Sequence, residues 1–310
     1  MGAGRSVHIS ELADIARPDI GVVTNVGTSH LEAFGTRDIL TAEKLGISKF
    51  FDVGNSIIVN SDCDKLSRKN VEKIVPAGTD VVTVGSEVND NIIVYNIGDF
   101  GIDGVSCSLD VKLGLTEYDG TYKLVIPVIG AHNLGNAALA IAAGVKLGIN
   151  PADGIRALAD TRFSSGRLEV IKTDRFTIID DSYNASPESM KSGLKILNSS
   201  KASRRVAILG DMYELGDESE VLHESVGIYA YDIGIDLLIT IGSNATAIAR
   251  AAVAAKEAEG IAYDGGPEVI AYTDKDEAIS EINDLLTEGD VILVKASRGM
   301  KLEDVISAIK

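Results

Sequence analysis

The first polar segment that could carry chemistry lies near the amino terminus. Asn25 and His30 follow an apolar run, and Lys44 comes fourteen residues after His30 on the next predicted helix. Ligands of open α/β sheets bind where strands end, and a neutral imidazole is a common metal ligand. A lone helix lysine, by contrast, is most often solvated. The segment by itself therefore leaves a metal site and an ordinary polar loop as alternatives.

A second polar segment holds two amides. Asn133 and Asn136 are three residues apart, which places them on one face of a predicted helix. A carboxamide offers both a donor and an acceptor and therefore suits the edge of an adenine. A helix cap followed by one exposed amide explains the same spacing.

Arginines close to carboxylates mark the second half of the chain. Three segments at predicted strand ends or loops contain the polar residues Arg167, Asp181, Tyr183, Asn184, Ser297 and Arg298. An arginine in such a setting can bind a phosphate or a carboxylate through two parallel hydrogen bonds. It can also form a salt bridge, so each segment is only suggestive by itself.

Composition excludes several classes of protein. A chain of 310 residues with 45% hydrophobic residues is long enough for two domains with sizeable cores. The formal net charge of −17 argues against a general nucleic-acid binder, although a mononucleotide needs only a few local donors. Cys63 and Cys107 form no CxxC pair, which makes structural zinc improbable and fits a reducing cytoplasm. No signal peptide is visible, and no apolar run approaches the ~20 residues that span a membrane.

Strands and helices alternate in the first half. Ile20–Val26 and Ser56–Asn60 read as buried strands, with a helix over Arg37–Phe50 between them. Asp62 is predicted to cap a helix that runs to Ile74, and this order implies a parallel sheet. An antiparallel insert at the sheet edge is predicted from four strand-like runs, which are Val81–Gly85, Asn91–Tyr95, Val105–Val111 and Tyr122–Val128. An Ala-rich helix over Asn133–Leu147 and a helix opened by Pro151 follow.

The alternation restarts in the second half, which predicts a second, Rossmann-like α/β domain. The predicted strands are Phe176–Asp180, Val206–Gly210, Leu237–Ile241 and Val291–Val294. The predicted helices are Pro187–Asn198, Glu218–Tyr231, Asn244–Ala255 and Lys275–Leu286. The boundary is placed near Phe163–Gly166, so the predicted domains are residues 1–163 and 164–310.

Taken together and in this order, the segments resemble the Mur ligases, the ATP-dependent amide ligases of bacterial cell-wall synthesis. The resemblance extends over essentially the whole chain. Asp181–Pro187, Gly210–Gly216 and Ser297–Lys301 look like the branch that adds D-alanyl-D-alanine to UDP-N-acetylmuramoyl-tripeptide. The Asp-Asn-Pro-Arg sequence of the branch that adds the third amino acid is absent. The implied fold is a central ATPase-type parallel sheet domain, truncated at its start, followed by a Rossmann-like C-terminal domain.

The resemblance also implies a chemistry and a set of roles. ATP would phosphorylate a peptide carboxylate, and the incoming amine would displace the phosphate, with Mg²⁺ reducing charge repulsion. His30 and Lys44 would be catalytic and would hold Mg²⁺, Lys44 after carbamylation. ATP would contact Asn25, Asn133, Asn136, Arg167 and Asp181. Tyr183 and Asn184 would position nucleotide or acceptor, and Ser297 and Arg298 would meet the peptide. A cytoplasmic monomer without nucleic-acid or membrane partners is expected.

The chain departs from the family pattern at its start. Relatives carry a phosphate-binding loop with a Gly-Lys pair, and no Gly-Lys dipeptide occurs in this sequence. Where many relatives read Gly-Glu-Ile, this chain reads Val7-His8-Ile9. We therefore expect a fragment that has no ligase activity by itself. The missing first strand would also expose an apolar sheet edge.

Two other interpretations stay open at this stage. The chain could be another ligase of the superfamily, of the folylpolyglutamate or cyanophycin type, which the acceptor amino acid would distinguish. It could instead be a non-catalytic binding module that kept the affinity for D-alanyl-D-alanine or for a partner ligase. The third residue of the tripeptide, lysine or diaminopimelate, cannot be read from these residues.

Overall fold

Two six-stranded sheets organise the chain in the computed structural model, which describes residues 7–27, 34–114, 117–161, 166–258 and 266–310. Each sheet belongs to one of two units. The first unit comprises Met1–Asp99 and Gly104–Thr161, and the second comprises Phe100–Asp103 and Arg162–Lys310. Residues 162–165 lie outside the described residues, so the domain boundary placed near Phe163–Gly166 stays a prediction.

The first sheet is parallel at one side and antiparallel at the other. Its strands are β1 (Ile20–Val23), β2 (Ser56–Asn60), β3 (Asp80–Gly85), β4 (Ile92–Asp99), β5 (Val105–Val111) and β6 (Gly120–Ile126), in that spatial order. β1 to β4 pair in parallel, whereas β4–β5 and β5–β6 are antiparallel. The antiparallel insert is therefore present, but the assignment of its first predicted strand to the insert was wrong. Val81–Gly85 lies in β3, which pairs in parallel with β2.

Helices connect these strands. They are α1 (His8–Ala16), α2 (Arg37–Leu45), α3 (Arg68–Val71), α4 (His132–Lys146) and α5 (Pro151–Leu158). The predicted cap at Asp62 is wrong, because the Asp62 carboxylate accepts hydrogen bonds from the N–H and hydroxyl of Ser86 instead. Without that cap, the stretch forms a 3₁₀ turn at Asp64–Leu66 and only the short α3.

β1 lies at the end of the strand order among the described strands. Its pairing partner among the described residues is β2. Val22, in the middle of β1, is 37% exposed. The edge is short and partly apolar, which is the kind of edge that can pair with another strand.

The start of α1 is strained and held by a buried carboxylate. Val7 precedes the helix with φ of 60°, a left-handed conformation that a β-branched side chain rarely adopts. Glu43 on α2 is buried, and its carboxylate accepts hydrogen bonds from the N–H groups of Val7 at 2.6 Å and Ile9 at 2.7 Å. These bonds satisfy donors that a helix start leaves open, and they hold Val7 in its strained conformation.

We expect Val7→Gly to raise the free energy of unfolding by about 1 kcal/mol, because glycine adopts left-handed φ without the steric cost of Val. The Val7 side chain is 52% exposed, so little apolar burial is lost. Urea unfolding of the two proteins measures the difference. Val53, 86% exposed in a turn, supplies the control, since Val53→Gly brings no relief of a positive φ. Equal effects of the two substitutions on the free energy of unfolding would contradict the inference that Val7 is strained.

The second sheet has the strand order β11-β10-β9-β12-β8-β7. Its strands are β7 (Glu169–Lys172), β8 (Thr177–Asp181), β9 (Arg204–Gly210), β10 (Leu237–Ile241), β11 (Glu268–Tyr272) and β12 (Asp290–Lys295). All neighbours are parallel except β7, which pairs antiparallel with β8. The helices are α6 (Pro187–Ser199), α7 (Ser219–Asp232), α8 (Thr246–Ala258), α9 (Lys275–Leu285) and α10 (Glu303–Ile309).

This arrangement confirms the mixed α/β fold and the parallel sheets. The four predicted strands of the second half match β8, β9, β10 and β12 to within two residues, whereas the two edge strands β7 and β11 were missed. The core of the unit lies between the sheet and its helices, where Ile208, Ile239 and Ile292 are fully buried. Among the described helices, none is both long enough and apolar enough to cross a membrane.

Candidate active site

The carboxyl ends of the parallel strands gather the polar segments of the second unit. β8 ends at Asp181, β9 at Gly210 and β12 at Lys295. Because β9, β12 and β8 are adjacent and parallel, the loops that follow them meet at one edge of the sheet. This edge is the candidate site of the unit.

The loop after β8 is fixed by local hydrogen bonds. Asp180 accepts bonds from the N–H of Ser182 at 3.0 Å and from its hydroxyl at 2.6 Å. The N–H of Tyr183 donates to the Gly166 carbonyl at 2.9 Å. Ser186 then caps α6 with a reciprocal bond to Ser189. The loop therefore presents Tyr183, 43% exposed, from a rigid frame.

Two predicted arginines meet on the Tyr183 ring. The Arg167 guanidinium lies 4.0 Å from the ring centroid and that of Arg298 lies 5.6 Å from it. Arg298 also forms an ion pair with Glu303 at 3.0 Å. Both arginines are exposed, so their guanidinium groups remain available to an anion. We call Arg167, Tyr183 and Arg298 the arginine–tyrosine cluster.

Lys295 lies beneath this cluster and was missed by the sequence analysis. Its ammonium is 2.5 Å from an Asp181 carboxylate oxygen and donates to the Asn184 carbonyl at 2.9 Å. Desolvation lowers the pKa of Lys295, although the charge of Asp181 opposes this effect. The sequence signal that could have identified Lys295 is its position directly after the wholly apolar run Val291–Val294.

The loop after β9 is tied to the loop after β12. The N–H of Tyr213 donates to the Ser297 hydroxyl at 2.8 Å, and the N–H of Ser297 donates to the Asp211 carbonyl at 2.9 Å. Ser297 is buried, and this burial favours a supporting role over contact with a substrate. Ser297 therefore connects two loops of the site.

A buried histidine supports the same loop. His223 Nε2 accepts a bond from the N–H of Met212 at 2.9 Å, so its Nδ1 carries the proton that is donated to the Ser219 carbonyl at 2.7 Å. Burial raises the pKa of Asp211, against the effect of N–H bonds that include one from Ala245. A side chain at Gly242, where φ is 119°, would lie 2.3 Å from the Asp211 carboxylate, so only glycine fits there.

In the first unit, Lys44 is half-buried at the end of α2. Its ammonium donates to the Asn25 carbonyl at 2.8 Å, which brings two of the predicted residues together. Burial lowers the pKa of Lys44, an effect that a thiolate at the nearby Cys63 would partly oppose. The predicted partner His30 lies outside the described residues.

Asn133 and Asn136 lie on one face of α4, as predicted. The Asn133 amide is buried and donates to the Ile129 carbonyl at 2.8 Å, while its oxygen accepts a bond from the Asn136 amide at 3.2 Å. These bonds occupy Asn133 within the protein. The exposed Asn136 is therefore the better placed of the two for an external ligand.

A magnesium site needs several oxygen ligands. Within the described ranges, no three His, Cys, Asp or Glu side chains come together in a group that could hold a metal ion.

Two protein-family models match the chain. The model of the Mur ligase middle domain matches residues 1–144. The model described as Mur ligase, glutamate ligase domain matches residues 166–298. Together the two matches cover both units.

Curated relatives carry the name UDP-N-acetylmuramoyl-tripeptide–D-alanyl-D-alanine ligase. The protein of Bacillus subtilis is 32% identical over 99% of this chain, and that of Mycobacterium tuberculosis H37Rv is 31% identical over 100%. The chain spans only 62% of the first relative and 61% of the second.

Solved structures share the fold over the whole chain. MurF of Acinetobacter baumannii superposes with a TM-score of 0.85 at 23% identity, and the match covers 63% of that chain. MurF of Thermotoga maritima, solved in complex with ADP, gives a TM-score of 0.81 at 25% identity and 65% coverage. Both matches cover 100% of this chain.

Proposed function

The chain belongs to the Mur ligase family and carries its middle and C-terminal domains, and we propose that it is part of a ligase that adds D-alanyl-D-alanine. The reaction would join D-alanyl-D-alanine to UDP-N-acetylmuramoyl-tripeptide at the expense of ATP. The observation that carries the proposal is the arginine–tyrosine cluster. In a chain of net charge −17, two exposed guanidinium groups meet at the edge where ligands of such sheets bind.

Each cluster residue has a proposed task. ATP would transfer its γ-phosphate to the tripeptide carboxylate, the amine of the dipeptide would attack the acyl carbon, and phosphate would leave. Arg167 would bind the phosphates and Arg298 the peptide substrate, since a guanidinium holds such anions through two parallel bonds. Tyr183 and Asn184 would position nucleotide or acceptor, and Asp181 would lie near the ribose.

The first unit supplies further proposed contacts. Asn136 would face the adenine, with Asn133 holding it in place, and Asn25 would line the nucleotide site. Mg²⁺ would be held by His30 and by Lys44 as its carbamate. We also infer a cytoplasmic monomer that binds neither nucleic acid nor membrane.

Carbamylation of Lys44 has a direct test. Only the neutral amine reacts with CO₂, and burial lowers the pKa of Lys44, so its neutral fraction at a given pH exceeds that of an exposed lysine. We expect a carbamate carbonyl signal in ¹³C NMR of the chain in ¹³C-bicarbonate, growing as pH rises from 7 to about 8.5. Lys44→Met should remove the signal, and substitution of the exposed Lys49 should not. A spectrum with no Lys44-dependent signal would contradict the prediction.

The proposed function is tested on a joined protein. The part of the Bacillus subtilis relative that this chain does not span would be fused to Met1, and phosphate release from ATP would be measured with both substrates. We expect release that requires the tripeptide nucleotide and D-alanyl-D-alanine together, and none from the chain by itself. Release supported by glutamate, aspartate or arginine in place of the dipeptide would favour another ligase type. An inactive fusion whose chain still binds the dipeptide would favour a binding module.

A further inference from the structure

We propose that Lys295 is a positioning residue, whose buried ammonium holds the loop after β8 so that Tyr183 stays against the Arg167 guanidinium. The proposal concerns the geometry of the arginine–tyrosine cluster, and its use in catalysis rests on the proposed function.

The register of the sheet places Lys295 for this task. Lys295 is the last residue of β12 and the Cα partner of Asp181, the last residue of β8. The Lys295 side chain is 3% exposed and that of Asp181 is 15% exposed. Their ion pair therefore forms at the carboxyl end of the sheet, directly below the loop that carries Tyr183.

The loop is held at both of its sides. At the near side, the N–H of Tyr183 donates to the Gly166 carbonyl at 2.9 Å, which also fixes the backbone next to Arg167. At the far side, the Asn184 carbonyl accepts a bond from Lys295 at 2.9 Å. Tyr183 lies between these two points. Without Lys295 the Asn184 carbonyl loses its donor, and the backbone between Tyr183 and the Ser186 cap can shift the ring away from the guanidinium.

The charges argue for a role beyond stability. A buried ion pair contributes little net stability compared with apolar residues of the same volume. Arg167 adds a second positive charge near Lys295, and this charge also lowers the pKa of the lysine. Two positive charges close together cost free energy, so the position of Lys295 is better explained by the loop geometry that it fixes than by a gain in stability.

A ring-current shift reports this geometry without any ligand. The Cζ atom of Arg167 lies over the Tyr183 ring at 4.0 Å from its centroid, so NMR signals of the nearby Arg167 protons should be displaced upfield. Tyr183→Leu, which removes the ring, gives the reference without displacement. In Lys295→Met we expect the displacement to fall by more than half, while amide signals of Leu237–Ile241, on a core strand that does not neighbour β12, stay unchanged. Lys295→Arg, which keeps a donor and a charge, should restore most of it.

A second variant tests the proposal if Lys295→Met does not fold. Asp181→Asn combined with Lys295→Met removes both charges, should fold, and should also lose the displacement. A full displacement in either folded variant would overturn the proposal. If neither variant folds, Lys295 serves stability only and the proposal is likewise overturned.

The proposed function is judged separately. Calorimetric titration of the joined protein with ADP and with D-alanyl-D-alanine tests whether it binds these ligands. Absence of binding would count against the proposed function, whereas the ring-current comparison would still decide the role of Lys295.

Discussion

Asp290→Ala will lower the free energy of unfolding by about 3 kcal/mol, the lower end of the range found when one partner of a buried ion pair is removed, because Arg204 is partly exposed. The Asp290 side chain has no exposed surface and accepts bonds from Arg204 Nε at 3.0 Å and from its terminal nitrogen at 2.8 Å. It also accepts bonds from the N–H of Thr287 at 2.9 Å and from its hydroxyl at 3.0 Å. Alanine leaves all these donors without an acceptor. Urea unfolding at neutral pH measures the loss.

The same carboxylate predicts a dependence on pH. Burial alone would raise the pKa of Asp290, but the bonds from Arg204 and Thr287 outweigh it and hold the pKa below its usual value. Its contribution is therefore complete above the unfolded pKa of about 3.9 and is lost as pH falls through the folded pKa. The difference in stability between wild type and Asp290→Ala should shrink in that acid range.

A surface ion pair supplies the control. Arg250 contacts Glu220 and Glu224 on the exposed side of α7 and α8. Exposed pairs contribute little because water screens them, so Arg250→Ala should leave the unfolding curve almost unchanged. An Asp290→Ala curve as close to wild type as that of the control would contradict the prediction.

In the joined ligase, Arg167→Ala and Arg298→Ala should each lower kcat/KM about 100-fold, because charge-assisted bonds to a phosphate or carboxylate contribute about 1.5–3 kcal/mol. Lysine at either position should recover part of the activity, since it keeps the charge but lacks the planar fork. Both arginines are exposed, so the unfolding curves should not move. Steady-state phosphate release measures the kinetic effect.

The chain offers a matched arginine for comparison. Arg175 is also exposed and stacks on an aromatic ring, that of Phe176, at 4.6 Å. It precedes β8, at the amino end of the sheet, away from the candidate site. Arg175→Ala should therefore leave kcat/KM unchanged. A loss similar to that of Arg167→Ala would mean that stacked arginines support the fold and do not bind substrate.

Buried parallel strands were the most predictable part of the fold. Leu237–Ile241 and Ser56–Asn60 were predicted with their observed bounds, because both faces of such strands are covered and the apolar run is continuous. Glu268–Tyr272 and Glu169–Lys172 were missed since edge strands are half-exposed and carry polar residues without a clear alternation. The helix predicted after Asp62 failed because the carboxylate found a partner 24 residues away, in Ser86.

The candidate site was predictable only in part. Family motifs pointed to Arg167, Tyr183 and Arg298, and the structure brings these three together. No local pattern pairs Lys295 with Asp181, because 114 residues separate them and only the sheet register makes them neighbours. Burial cannot be read from the sequence either, and the burial of Ser297 is what favours its role in supporting two loops.

β12 carries one buried charge at each end, and this fixes both its register and its direction within the sheet. All six of its residues are buried, so its apolar middle, Val291–Val294, would fit either face and either orientation equally well. Asp290 lies opposite Arg204 on β9, whereas Lys295 lies opposite Asp181 on β8. A strand inserted backwards would bring Lys295 towards Arg204 and Asp290 towards Asp181, burying like charges against each other. The buried charges at its two ends therefore allow β12 to enter the sheet in one orientation only.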